Sequence, residues 1–104
     1  MALRVRVCLL SEVIPDELNE FKVKGVTWPV IVTIAEGQMF ACAGVCPHED
    51  VPLINGLLHE KTLVCGAHFY GFNLVTGRCT HDATLELRRY PITLVGDEVW
   101  VDLI

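Results

Sequence analysis

Residues 43–80 read AGVCPHEDVPLINGLLHEKTLVCGAHFYGFNLVTGRCT, and the rest of the chain is interpreted outward from this stretch. It holds five of the eight glycines and two of the five prolines, a composition typical of irregular loops. Within it, Cys46-Pro47-His48 is a Cys-x-His motif and Cys65-Gly66-Ala67-His68 is a Cys-x-x-His motif. Functional residues are often carried on loops that a rigid scaffold positions. The stretch therefore predicts a loop-rich insertion that binds a metal.

The chemistry of the candidate ligands narrows the choice of metal. Thiolates and imidazoles suit both zinc and iron–sulfur clusters. Zinc motifs usually pair Cys with Cys and His with His, whereas each short motif here mixes the two, which favours a two-iron cluster and leaves zinc as the alternative. Cys79-Thr80-His81 repeats the Cys-x-His spacing without a second half, and we interpret it as a packed thiol and a loop histidine. The candidate ligands are Cys46, His48, Cys65 and His68.

The segments on either side of this stretch have the pattern of short strands. β-branched runs end at Glu36-Gly37 and Gly96-Asp97, two dipeptides that suit tight hairpins. The sequence contains no long amphipathic pattern, so it predicts no long helix. The sequence therefore predicts an all-β fold, an antiparallel β-sandwich or barrel that carries the loop-rich insertion. The predicted strands are 4–7, 28–34, 39–42, 92–95 and 98–103.

Length and composition restrict the possible classes of protein. A chain of 104 residues with 52% hydrophobic residues predicts one domain over residues 1–104, with a metal-binding subdomain at about 43–80. The net charge of −5 argues against nucleic acid as a partner. No apolar run reaches the roughly 18 residues of a membrane helix, and no secretory leader is visible. The odd number of cysteines argues against a disulfide framework, so we expect a cytoplasmic protein.

Residues 46–79, and YPITLVGDEVWVDL at 90–103, resemble the Rieske [2Fe-2S] family. The resemblance implies one [2Fe-2S] cluster per chain, held by two loops that each supply one Cys and one His. Two ferric ions, two sulfides and two thiolates sum to a neutral oxidised site, which accepts an electron more easily than a four-cysteine cluster does. The implied ligands are Cys46 and Cys65 for the inner iron and His48 and His68 for the outer, solvent-facing iron.

Differences from high-potential members of that family indicate a low reduction potential. Such members carry a disulfide beneath the cluster, but the aligned positions here are Val51 and Ala67. They also carry a Ser and a Tyr whose hydroxyls donate to sulfur, and the aligned positions are Tyr70 and Phe72. Fewer donors leave the more negative reduced cluster less stabilised. The loop at 80–84 lacks the proline that many relatives have, so its shape stays open.

Residues 65–73 resemble ferredoxins of multicomponent aromatic oxygenases, of the toluene monooxygenase and ring-hydroxylating dioxygenase types. The resemblance implies an electron carrier between a flavin-dependent reductase and a terminal oxygenase. We expect this carrier to be a monomer. We expect no enzyme activity, because both irons would be fully ligated. The alternatives are a permanently bound small subunit of a nitrite-reductase-type enzyme and a zinc or redox-sensing module. Glu49 and Asp50 fit either an acidic docking face or ordinary solvated charge.

Overall fold

The computed structural model describes residues 3–103, which form three antiparallel sheets and two short 3-10 turns, Leu10–Glu12 and Leu53–Asn55. The strands are β1 Arg4–Leu9, β2 Asn19–Phe21, β3 Val30–Ala35, β4 Gln38–Ala43, β5 Leu57–His59, β6 Thr62–Val64, β7 Gly71–Asn73, β8 Arg89–Tyr90, β9 Ile92–Val95 and β10 Glu98–Asp102. The sheets have the strand orders β1-β10-β9, β2-β3-β4-β8 and β5-β6-β7. The predicted all-β fold is confirmed. Nothing among the helical segments of residues 3–103 is long and apolar enough to span a membrane.

The two predicted hairpins form at their predicted turns. Glu36 and Gly37 both have positive φ, 51° and 78°, as a type I′ hairpin turn requires. In Gly96-Asp97, which joins β9 to β10, only Gly96 has positive φ, 61°, as in a type II′ turn. β3 begins at Val30, later than predicted, because Pro29 has no N–H to donate to a sheet.

The central sheet is covered on both faces, which explains why β3 is apolar except for Thr33, whose buried hydroxyl donates to the Glu17 carbonyl at 2.7 Å. Successive side chains of a strand point to opposite faces. Val32 accordingly packs in one core with Val99 and Val101 of β10, whereas Ile31 packs in a second core with Phe72 of β7. β3 and β4 therefore lie between the outer sheet β1-β10-β9, which packs on one face, and the small sheet β5-β6-β7, which packs on the other.

A small sheet, whose strands the sequence did not predict, lies within the loop-rich stretch of residues 43–80. β5, β6 and β7 all lie within residues 43–80, and each has only three residues, too few to show a clear alternation of polar and apolar side chains. Cys65 directly follows β6, and Tyr70 directly precedes β7. The segment that carries the second Cys/His motif is thus the connection between two paired strands, and its ends are held by the sheet.

Candidate metal centre

The first motif lies in a closed loop of residues 46–51, the first cysteine loop. The Cys46 N–H donates to the Val51 carbonyl at 2.8 Å, and the Asp50 N–H donates to the Cys46 carbonyl at 2.9 Å. Asp50 has a φ of 54°, in the left-handed region that Asp tolerates better than most residues. These bonds fold the loop back on itself, so His48 lies at its tip.

The second motif lies in a loop of residues 65–70, the second cysteine loop, with the same backbone pattern. The Cys65 N–H donates to the Tyr70 carbonyl at 2.8 Å, and the Phe69 N–H donates to the Cys65 carbonyl at 2.9 Å. Phe69 occupies the position of Asp50 and also has a positive φ, 59°. Two loops of different sequence therefore adopt one conformation, each beginning at a cysteine, a likeness that the sequence did not reveal.

The two cysteines at the bases of these loops are fully buried and face each other. Both Cys46 and Cys65 have 0% of their surface exposed. Burial raises the pKa of the Cys46 thiol, the backbone N–H groups of His48 and Glu49 lower it, and the neighbouring Cys65 thiol raises it again. Backbone N–H donors are thus already directed at the Cys46 sulfur, whose thiolate form would be unfavourable in this buried position without a metal. This arrangement fits a pair of metal-ligating thiolates.

The two histidines project beyond the cysteines and differ in their surroundings. Their ring centroids are 5.1 Å apart with the rings nearly perpendicular. The Nδ1 atom of His48 is buried and has no hydrogen-bond partner within residues 3–103. The His68 side chain is 51% exposed, and its Nδ1 atom lies 3.2 Å from Oε2 of Glu49. Since buried nitrogen atoms nearly always have a partner, the orphaned His48 Nδ1 is suited to binding a metal.

The positions of the four candidate ligands argue against a single metal ion. Nitrogen atoms of His48 and His68 and an oxygen of Glu49 all lie within 4.8 Å of one another. Among the described residues, no cysteine sulfur joins this group at that distance. A tetrahedral zinc ion would require sulfur and nitrogen to converge on one point. Separate pairs of sulfur and nitrogen atoms fit two irons bridged by sulfide.

A third loop brings an unpredicted histidine to the site. The Tyr70 ring is stacked between His48, at 4.2 Å between centroids and 25° between planes, and His81, at 5.0 Å and 9°. We call these three rings the aromatic column. His81 was interpreted as a loop histidine without a role at the centre, and its sequence neighbours give no sign that the loop folds against Tyr70.

The loop at 80–84 has a defined shape without proline. The Asp82 carboxylate accepts hydrogen bonds from the Thr84 N–H at 2.9 Å and the Thr84 hydroxyl at 2.6 Å, and these bonds hold the pKa of Asp82 below its ordinary value. The Thr80 N–H donates to the Gly71 carbonyl at 2.7 Å, which fastens the loop to β7. Short polar side chains that bond to nearby backbone are a common way to close a turn. The shape that the sequence left open is therefore set by Asp82.

Three of the four positions that align with the high-potential features of the Rieske family, Val51, Ala67 and Phe72, are apolar here. Val51 and Ala67 line one small cavity between the two cysteine loops. All five cysteines are free thiols. Phe72 is completely buried in the core that contains Cys46 and Cys65. No disulfide therefore joins the two cysteine loops, and Phe72 offers no hydroxyl to either sulfur.

Comparison with known proteins agrees with this geometry. Residues 4–91 match the family model described as the Rieske [2Fe-2S] domain. The ferredoxin component of biphenyl 2,3-dioxygenase from Rhodococcus jostii is 33% identical over 99 residues, covering 94% of this chain and 91% of that protein. The ferredoxin component of the alkene monooxygenase system from Xanthobacter autotrophicus is 31% identical over 98 residues, covering 93% and 79%.

Solved structures share the fold. The ferredoxin in a complex of reduced oxygenase and oxidised ferredoxin of carbazole 1,9a-dioxygenase is 25% identical, with a TM-score of 0.83 over 96% of this chain and 93% of that one. A chain described as an NADH-dependent nitrite reductase small subunit from Mycobacterium tuberculosis has a TM-score of 0.84 over 100% and 97% of the two chains. It is only 15% identical, so it shows the common fold alone.

Proposed function

The chain belongs to the Rieske [2Fe-2S] family, and from this premise we propose that it is the ferredoxin of a multicomponent oxygenase. Its [2Fe-2S] cluster would be held by Cys46 and Cys65 through sulfur and by His48 and His68 through nitrogen, within a subdomain of residues 43–80 in a single domain. When bound, the cluster supplies a one-electron redox couple. The proteins named as ferredoxin components of oxygenase systems support this function.

One observation carries the proposal: the sulfur ligands are sealed inside the fold, whereas one imidazole reaches the surface. Cys46 and Cys65 are fully buried, and the His68 side chain is 51% exposed. The protein thus surrounds the inner end of the site with apolar side chains and leaves the outer end open to a partner. Electron exchange through an exposed imidazole requires no substrate pocket, which suits a carrier better than an enzyme.

The surface around His68 suits a brief contact with another protein. Phe69 is 69% exposed, and Glu49 and Asp50 lie on the neighbouring loop. An apolar side chain beside carboxylates fits a terminal oxygenase whose surface has an apolar recess with a basic rim. We propose that a flavin-dependent reductase is the electron donor and that it binds the same surface at a different time. We also propose that the carrier is a monomer in the cytoplasm.

We also propose that the reduction potential is low for this family. Phe72 offers no hydroxyl to the nearby sulfurs, and Val51 and Ala67 form no disulfide. The reduced cluster is one unit more negative than the oxidised cluster, so each missing donor weakens the reduced state more.

The ligand assignment is tested by chemical analysis of anaerobically purified protein. We expect two irons and two acid-labile sulfides per chain, and a reduced-state EPR spectrum typical of mixed nitrogen and sulfur ligation. His48→Ala and His68→Ala should lose or destabilise the cluster, whereas His59→Ala, at an exposed histidine outside the centre, should retain it. Stoichiometric zinc without sulfide would contradict the assignment.

The partner class is tested in the source cells. Deleting the gene should abolish an oxygenase activity that the parent chain restores and Cys65→Ser does not. If deletion instead abolishes nitrite reduction, the chain is a reductase subunit and not an oxygenase ferredoxin.

A further inference from the structure

The three rings of the aromatic column come from three different loops. His48 belongs to the first cysteine loop, Tyr70 to the second, and His81 to the third loop at 80–84. The two stacked pairs have centroid distances of 4.2 Å and 5.0 Å, within the range in which aromatic pairs attract. In the aromatic column, one side chain from each of the three loops therefore stacks on the next.

The column covers one of the two candidate histidine ligands in particular. Tyr70 stacks on His48 at 25°, whereas its contact with His68 is edge-on, with 6.5 Å between centroids. His68 instead has its Nδ1 atom beside Glu49. The two imidazoles thus have different supports, a ring face for His48 and a carboxylate for His68.

His48 needs such a support because Nδ1, the ring nitrogen that the site leaves free for a metal, makes no hydrogen bond within residues 3–103 that could orient the ring. That atom is buried without a partner in the described part of the chain. A ring is usually oriented by the hydrogen bond that its other nitrogen makes, or by packing against its faces. The stacked Tyr70 ring supplies packing over one face.

His81 in turn holds Tyr70 from the opposite side, and its own loop is held in place. The His81 Nδ1 atom lies 2.8 Å from the Thr80 hydroxyl, and the Thr80 N–H donates to Gly71 next to Tyr70. The Asp82 turn closes the same loop. His81 is thus fixed relative to β7 and can confine the Tyr70 ring.

We propose that Tyr70 and His81 are positioning residues, which hold the His48 imidazole in the orientation that binds the outer iron. This inference rests on the proposed function, because it assigns His48 as a ligand. The contribution comes from the flat rings, so the Tyr70 hydroxyl is dispensable for it, whereas the contact of His81 Nδ1 with the Thr80 hydroxyl helps to hold the His81 ring in place.

Four variants separate ring stacking from other effects in the loaded protein. Tyr70→Leu and His81→Ala remove a ring, whereas Tyr70→Phe and His81→Phe keep one. His59→Ala is the matched control, since it truncates an exposed histidine whose ring lies beside the equally exposed Glu60 and away from the candidate metal centre. His81 is itself exposed, so His81→Ala leaves the buried core intact.

Two measurements read the outcome. The first is the rate at which the protein loses iron to a ferrous chelator, which loss of one aromatic contact should raise about two- to tenfold. The second is nitrogen-15 ENDOR of the reduced protein, in which the coupling of only one of the two histidine ligands should change. Tyr70→Leu and His81→Ala should show both effects, Tyr70→Phe and His59→Ala should match the parent, and His81→Phe, which keeps the ring but loses the contact with Thr80, should lie closer to the parent than His81→Ala does.

The proposal is overturned if His81→Ala and Tyr70→Leu match the parent in both measurements. It is also overturned if Tyr70→Phe behaves like Tyr70→Leu, because the hydroxyl would then matter and the ring would not. The iron and sulfide contents of the parent chain are measured first. That measurement tests the ligand assignment by itself, independently of the role of the aromatic column.

Discussion

Phe69 combines two unfavourable properties at the tip of the second cysteine loop. Its side chain is 69% exposed, and its φ of 59° lies in the left-handed region, which is unfavourable for a bulky residue. Asp50, at the equivalent position of the first loop, is a residue that tolerates this conformation. Strain of this kind persists at sites where it serves a function. We therefore expect Phe69 to cost stability and to contribute to binding of the oxygenase.

The size of both effects follows from the structure. A Phe side chain buries about 150–250 Å² in a core, so 69% exposure leaves about 100–170 Å² available to a partner. Burying half of that area at about 25 cal/mol per Å² contributes roughly 1.3–2.1 kcal/mol, or about a 10- to 30-fold change in Kd. Replacing an Ala at positive φ with Gly stabilises a protein by about 1 kcal/mol.

Phe69→Ala and Phe69→Gly separate the two contributions. Both should raise the Kd for the partner oxygenase, measured by titration calorimetry, by the same 10- to 30-fold. Phe69→Gly should be about 1 kcal/mol more stable than Phe69→Ala in urea unfolding. Leu94→Ala is the control, because Leu94 is an exposed apolar residue on β9 of the outer sheet. An unchanged Kd in Phe69→Ala, or a Gly variant no more stable than the Ala variant, would refute the reasoning.

Three further outcomes are expected. Gly56→Ala should cost about 3 kcal/mol or more in urea unfolding, because its Cβ would lie only 2.0 Å from the Val64 carbonyl oxygen; a fully stable variant would contradict this packing. Phe72→Tyr adds a donor near the buried sulfurs and should raise the reduction potential in protein-film voltammetry by roughly 40 mV, for a difference of about 1 kcal/mol between redox states. A loaded variant with an unchanged or lower potential would place Phe72 away from the cluster. Arg6 and Trp100 donate hydrogen bonds to Glu98 and hold its pKa below the ordinary 4.5. The stability that the Glu98 carboxylate adds is therefore fully present above pH 4.5, and it is lost as the pH falls through the lower pKa of the folded state. The difference in urea midpoint between the parent and Glu98→Gln should therefore shrink on acidification, and a difference that grows would reverse the sign.

Much of the fold was predictable because it depends on neighbours in sequence. Glu36-Gly37 and Gly96-Asp97 indicated hairpins, since only a few dipeptides adopt the backbone of a two-residue turn. The short strands β5, β6 and β7 were missed, because a strand of only three residues shows too little periodicity.

The sequence by itself determined the candidate ligands and the kind of metal centre. Cys46 with His48, and Cys65 with His68, are pairs of donors within one short motif, and their chemistry is legible without knowing how the loops pack. The spacing of Cys and His within each motif is a property of the sequence, so it can be recognised before the packing of the two loops is known.

Only the tertiary structure decided how these residues are supported. It gave the two cysteine loops one backbone conformation, and it placed Tyr70 between His48 and His81. These contacts join side chains that are distant in sequence, and they depend on the packing of the small sheet against β3 and β4. No local pattern specifies them, because each loop acquires its neighbours only when the strands that anchor it have paired.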